Sequence, residues 1–307
     1  MRVAAIDQGT NTTRLLVADV VEGHVRTISR RSTITRLGEG VDSRHRLLPL
    51  PITRVRNALS EYRRELESLG AERALLVATS AVRDAENGEA FLGEIEWSYG
   101  FTTRLLSGDE EAAMTQRGLG GLDDGTILID VGGGSTELTR TEGRVSTDLG
   151  SVRLTERFPA SDPPTPDDLR SLRAAIRAVL SEHDLRAERG IGVAGTVTSL
   201  AALDLSLVEY DSDRVDGHRL SADAVESQLE RLAALPLAER REVPGLEPER
   251  APVIVAGAAI LLETVRYLGL DEIEVSERDL LDGAALAAAE LPEPIEGEAP
   301  PGAYTCC

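Results

Sequence analysis

A ten-residue segment occurs twice in this chain. Residues 6–15 read IDQGTNTTRL and residues 129–138 read IDVGGGSTEL. One constant offset matches Asp7 with Asp130, Gly9 with Gly132, Thr12 with Ser135, Thr13 with Thr136 and Leu15 with Leu138. Each copy follows an apolar run, VAAI or TILI, and each continues into a second strand-like run. The pattern predicts a strand, a tight Gly-containing hairpin and a strand, used once in each half of the molecule. Glycine admits the backbone angles such a turn needs and lets main-chain N–H groups approach a phosphate. An Asp at the mouth of each hairpin can hold a divalent cation, directly or through water. A lone Asp-x-Gly is usually only a turn. Two aligned, strand-flanked copies point to two related domains facing each other across a phosphate site.

A length of 307 residues suits two domains with substantial cores. No basic n-region followed by an apolar stretch opens the chain, and no apolar run reaches the roughly 20 residues that span a bilayer. The expectation is a cytoplasmic protein with no membrane partner. The only cysteines, Cys306 and Cys307, end a Pro- and Glu-rich tail from residue 291. They cannot brace a core or supply a Cys/His metal set, and the tail is expected to be disordered. All 33 basic residues are Arg, which rules out a P-loop lysine, a Schiff base or a lysine general base.

The net charge of −20 is unevenly placed, −1 over residues 1–120 and −19 over residues 121–307. Within the first part, residues 24–56 hold eight Arg against Glu39 and Asp42. The run is either a solvated face or a docking strip for an anionic substrate. Nucleic-acid binding is not expected, given this charge and an aromatic content of 3%.

Helical periodicity runs over residues 52–69 and stops at Gly70; ALLVAT (74–79) has the pattern of a buried strand. A helix near 90–99, a short strand near 103–106 and a helix at 109–119 with acids in its first turn follow. GLGGLDDG (118–125) is the expected domain boundary. Beyond it, strands are expected to about residue 154, a Pro-rich break at 159–166 and a helix at 167–181. IGVAGTVTSLAAL (191–203) reads as strand, Gly turn and helix. Helices near 221–233 and 249–268, a strand at 273–275 and a last helix at 279–290 complete an α/β pattern.

Three Gly-containing strand ends, at 7–12, 130–136 and 192–199, together resemble the actin-like (ASKHA, ribonuclease H-like) superfamily. TSAVRDAEN (79–87), LLSGDEEA (105–112), IDVGGGSTEL, LGSVRLTERF (149–158), GVAGTVTSLAAL and ERAPVIVAGAAIL (249–261) narrow the match. In order and wording they resemble the exopolyphosphatase/guanosine-pentaphosphate phosphatase (Ppx/GppA) family, in a short two-domain form. The resemblance implies two actin-like α/β domains, 1–120 and 121–290, with a phosphate-binding cleft between them. The last helix is allowed to pack back on the first domain.

The resemblance also implies roles. Glu111 would orient or deprotonate the attacking water, with its neighbour Glu110 as the control, and Glu137 would be the second carboxylate. Asp7 and Asp130 would hold Mg²⁺, with Mn²⁺ as an alternative. Phosphate would be bound by Gly9, Thr10, Asn11 and Thr12, by Gly132, Gly133, Gly134 and Ser135, and by Gly195 and Thr196. Arg83 would neutralise a phosphate oxygen, its alternative being a salt bridge with Asp84 or Glu86. The wording departs from the family at Gln8 and Thr10, at Ala194 where a Gly pair is usual, and at DLLDG (279–283), which lacks an Arg.

The implied activity is metal-assisted hydrolysis of a terminal phosphoanhydride. The substrate is inorganic polyphosphate, or else guanosine pentaphosphate. A kinase of the same superfamily and a weakly active sensor are the competing classes. The family often forms homodimers, which is the expectation for partners.

Overall fold

The structure, a computed structural model, describes residues 1–158 and 161–292. Most of the expected tail, with both cysteines, lies outside the described residues. The chain divides into two compact units: Met1–Gly120 with the segment from Leu280 onward, and Gly121–Asp279.

In the first stretch, β1 (Arg2–Gln8), β2 (Thr12–Val21) and β3 (His24–Ile34) lead into α1 (Val41–Arg44) and α2 (Pro49–Ser68). Next come β4 (Arg73–Ala78), α3 (Ser80–Arg83), α4 (Gly88–Tyr99), β5 (Thr102–Leu105) and α5 (Gly108–Leu119). The second unit holds β6 (Thr126–Val131), β7 (Thr136–Arg140), β8 (Gly143–Thr147), α6 (Ser151–Arg157) and α7 (Pro166–Leu180). It continues with β9 (Arg189–Val193), α8 (Ala194–Asp204), α9 (Ser212–Val215), β10 (Arg219–Ser221) and α10 (Ala222–Ala233). It ends with α11 (Leu237–Arg240), α12 (Ile254–Leu268) and β11 (Glu272–Val275), and the last helix is α13 (Leu280–Ala289).

The first sheet runs β3-β2-β1-β4-β5 and the second β10-β11-β9-β6-β7-β8. Both are built outward from a repeated hairpin. β1 and β6 each pair antiparallel with the next strand, which pairs antiparallel with a third. On its other edge each pairs parallel with a strand that arrives through helices, β4 or β9, as a parallel crossover requires. The expected α/β arrangement of two related units is the one observed.

Side chains alternate across β1, and each set has its own partner layer. Ala4 and Ile6 join Val55, Leu59 and Tyr62 of α2 and Phe91, Leu92 and Ile95 of α4. Val3 and Ala5, with Leu16, Ala18, Leu75 and Val77, pack under Leu280, Leu281, Ala284, Ala285 and Ala288 of α13. A strand buried on both faces reads as a continuous apolar run, which is why VAAI shows no alternation. In the second unit, Ile127, Ile129, Val131 and Leu138 pack with α7, α8 and α12.

Two local expectations are corrected. The segment expected to stay extended to residue 154 is helical from Ser151. Val152 and Leu154 suggest strand alternation, yet backbone N–H groups at the start of this turn bond back to the second hairpin. The helix expected from 249 begins at Ile254, after a run of turns.

Candidate active site

In the first unit the β1–β2 turn closes on itself, Gly9 N–H donating to the Thr12 carbonyl at 3.0 Å. A Cβ at Gly9 would sit 3.1 Å from that oxygen, so the turn leaves little room for a side chain. The next carbonyls are held from behind. Thr10 accepts from Gly38 N–H at 2.8 Å, and Asn11 accepts from Thr35 and Arg36 N–H at 3.0 and 2.8 Å. A planar trans peptide puts the following N–H on the opposite side. The N–H groups of Asn11 and Thr12 therefore point away from residues 35–38.

The Thr10 hydroxyl is fixed by Ser80 at 2.8 Å. Asn11 is 7% exposed, and neither its amide oxygen nor its amide nitrogen has a hydrogen-bond partner. A buried carboxamide in that condition costs free energy unless a ligand completes it.

Asp7 and Arg14 face each other across this hairpin. Arg14 donates from Nε and Nη2 to Asp7 Oδ2, at 2.9 and 2.7 Å. Glu111 lies one turn into α5, and Arg83 Nη1 approaches its carboxylate at 3.5 Å while donating to the Leu106 carbonyl at 2.7 Å. Arg83 thus lies against Glu111. Glu110 does something else. It accepts from the Ser107 N–H and hydroxyl in a capping box, and these bonds hold its carboxyl below the usual range.

The second unit repeats the design with different groups. Gly132 N–H donates to the Ser135 carbonyl at 3.0 Å. The Gly132 carbonyl accepts from Ser151 N–H at 3.0 Å, and that of Gly133 from Val152 and Arg153 N–H at 2.8 and 3.2 Å. The Gly134 carbonyl accepts from Arg153 Nε at 2.7 Å. By the same peptide geometry, the N–H groups of Gly133, Gly134 and Ser135 turn away from α6. Gly150 makes this contact possible: a Cβ there would lie 2.3 Å from the Gly133 oxygen. The N–H groups of Gly9 and Gly132 close their own turns.

Asp130 and Glu137 face each other in register and are 7% and 2% exposed, and Ser146 donates to Glu137 Oε1 at 2.7 Å. At the third loop the left-handed turn residue is Ala194, with φ 70°, and not the glycine. Gly195 serves a close approach instead, since a Cβ there would lie 2.5 Å from Arg250 Nη1. Thr196 is buried and lies against Gly257 at the start of α8, a helix without a side-chain cap.

Arg14, Ser80, Ser146, Gly150 and Arg250 had no role in the sequence reading. One of them was in view: the offset that matches Asp7 with Asp130 also places Arg14 opposite Glu137. The Arg run at 24–56 is partly ion-paired. Arg30 pairs with Asp282, Arg31 with Glu65, Arg54 with Glu39 and Arg56 with Glu94, each within its own unit.

Among the described residues, no group of three or more His, Cys, Asp or Glu is placed as a metal site. The two in-register carboxylates of the second hairpin fit a hard cation that keeps much of its water shell. At Asp7 a guanidinium already supplies the positive charge. Among the described residues, no helix is long and apolar enough to cross a membrane.

Residues 16–290 match the Ppx/GppA phosphatase family. Exopolyphosphatase 2 of Mycobacterium tuberculosis is 38% identical over 315 residues, covering 94% of this chain and 98% of the relative. The crystal structure of an exopolyphosphatase-like protein superposes with a TM-score of 0.87 at 33% identity, over 95% of this chain and 100% of that one. The Aquifex aeolicus member of the family gives 0.78 at 30% identity, over 94% and 98%. The chain belongs to the Ppx/GppA phosphatase family. It is a hydrolase acting on phosphoanhydrides.

Proposed function

We propose that the protein is an exopolyphosphatase that removes the terminal phosphate of inorganic polyphosphate as orthophosphate, with short chains preferred. The observation that carries this reading is Asn11, a buried carboxamide with no partner on a loop whose carbonyls are all turned away. The main chain of such a loop offers donors, the Asn11 amide nitrogen adds its own, and a phosphate oxygen accepts from donors. The name carried by the 38% identical relative supports polyphosphate as the substrate.

In this reading the N–H groups of Asn11, Thr12, Gly133, Gly134 and Ser135, with the Asn11 amide and the hydroxyls of Thr10 and Ser135, bind phosphate oxygens. Gly195 and Thr196 do so at the third loop. Arg83 takes a further oxygen with its guanidinium fork. Glu111 accepts the proton of the attacking water, its carboxylate held beside Arg83. Asp130 and Glu137 hold Mg²⁺, or Mn²⁺ in its place, while Asp7 is oriented by Arg14. When bound, the cation neutralises charge that builds on the leaving phosphate.

Short chains are favoured because residues 121–307 carry −19, a poor surface for the remote phosphates of a long polyanion. The test is phosphate release by the pure protein with Mg²⁺, from short polyphosphate, long polyphosphate, guanosine pentaphosphate and ATP. The highest kcat/KM is expected on short polyphosphate. A higher value on guanosine pentaphosphate would assign the alternative activity, and a higher value on long chains would refute the length preference.

A further inference from the structure

We infer that Arg54 and Arg153 are positioning residues that clamp the two phosphate loops from behind; this rests on the loops binding phosphate, as proposed above. Arg54 belongs to the Arg run at 24–56, which the sequence left as either a solvated face or a docking strip.

Arg54 projects from α2. Its Nε donates to the Thr35 carbonyl at 2.6 Å, and its Nη2 reaches the Arg36 carbonyl at 3.4 Å and Glu39 at 2.6 Å. The N–H groups of Thr35, Arg36 and Gly38 in turn hold the carbonyls of Asn11 and Thr10. The segment is under demand in two ways. Arg36 sits at φ 49°, which a side chain disfavours, and a Cβ at Gly38 would lie 2.2 Å from Thr10 Cγ2. A strained segment pressed this closely on a loop holds its shape only if something over-determines it. The Arg54 fork does so.

Arg153 does the same job by a shorter route. Its own N–H bonds the Gly133 carbonyl and its Nε the Gly134 carbonyl, so backbone and side chain of one residue grip consecutive peptides. Its side chain is 10% exposed, which favours a fixed geometry over a mobile surface cation. The two arginines are not at matching positions of the repeat. Arg54 reaches back from a helix in the middle of its unit, while Arg153 follows its hairpin directly. The same need, to occupy loop carbonyls so that the N–H groups face a phosphate, is met twice by different residues.

The test uses the full chain and the variants Arg54→Met and Arg153→Met, which keep the apolar stem, together with Arg54→Lys and Arg153→Lys. Amide hydrogen exchange without substrate is followed by steady-state kinetics on short polyphosphate. Arg54→Met should speed exchange about tenfold at Gly9 and at the N–H groups of residues 35–38 that hold its loop, and leave Gly132 and residues 151–153 unchanged; Arg153→Met should do the reverse. KM should rise about tenfold to a hundredfold, the scale of a lost charged hydrogen bond, with kcat within about twofold. The Lys variants should recover part of each effect. Unchanged loop exchange, or faster exchange throughout a unit, would overturn the inference. The exchange pattern is read without substrate, so it decides the clamp even if the parent releases no phosphate from polyphosphate, which would refute the functional reading alone.

Discussion

Arg14 and Glu137 occupy the same place in the two copies of the hairpin, each facing an Asp across the strands. One hairpin therefore carries a neutral acid–base pair and the other two acids. Cross-strand neighbours of like charge destabilise a sheet unless a cation is shared between them, whereas Arg14 supplies a positive partner to Asp7 through Oδ2. Asp130→Asn and Glu137→Gln should thus raise the Mg²⁺ concentration for half-maximal activity strongly, and Asp7→Asn much less; an equal rise for all three in a metal titration would refute the assignment. Excess EDTA should abolish phosphate release by the parent. At Glu111, replacement by Gln should lower kcat on the order of 10²–10⁴-fold, the usual contribution of a general base, without loss of fold by circular dichroism. Glu110→Gln should be mild, because a glutamine still completes the capping box. Retention of most turnover by Glu111→Gln would reassign the base.

Helix α6 and the turn before it show what backbone contact demands of sequence. Gly150→Ala would drive a Cβ into the peptide of Gly133 and Gly134, while at Gly143 a Cβ meets nothing within 4 Å. The first should lower the melting temperature by the equivalent of about 1–3 kcal/mol or more and impair activity; the second should be silent in both. On α2, Tyr62 donates to the Thr13 carbonyl, and burial pushes its phenol up to about 12. The folded state then binds a proton that the unfolded chain has released above about pH 10. Stability should fall between about pH 10 and pH 12 by at most about 2–3 kcal/mol, and less steeply in Tyr62→Phe, as chemical denaturation at each pH would show. Both hairpins, the long helices and the third loop were legible because periodicity and glycine spacing report local geometry. Helix α6 was not, since three residues, Val152-Arg153-Leu154, fit alternation as well as a short helix. Nor was Ala194 as the left-handed residue, with Gly195 beside it as the better candidate. The pairing of the Arg run escaped notice because Asp282 lies 252 residues from Arg30.

Charge on the scale of the molecule acts on encounter more than on chemistry. Added salt should narrow the preference for short over long polyphosphate, since exposed charges are screened over roughly 8–10 Å at physiological ionic strength. A preference unchanged between low and high salt would place its origin in local contacts. The order in which the chain is made adds another consequence. Domains tend to fold as they leave the ribosome, beginning at the N-terminus. Yet the face of the first sheet formed by Val3, Ala5, Leu16 and Val77 is covered by α13, which is translated after the whole second unit. Each fully buried Leu on that helix contributes about 1.5–3 kcal/mol, so the first unit lacks a large part of its stability until the second unit has been made. A fragment of residues 1–120 should bind hydrophobic dyes and self-associate, and a peptide of residues 280–292 added to it should suppress both. A nascent chain of this protein therefore carries an open apolar sheet while its whole second unit is being translated, the interval in which a ribosome-associated chaperone has something to hold.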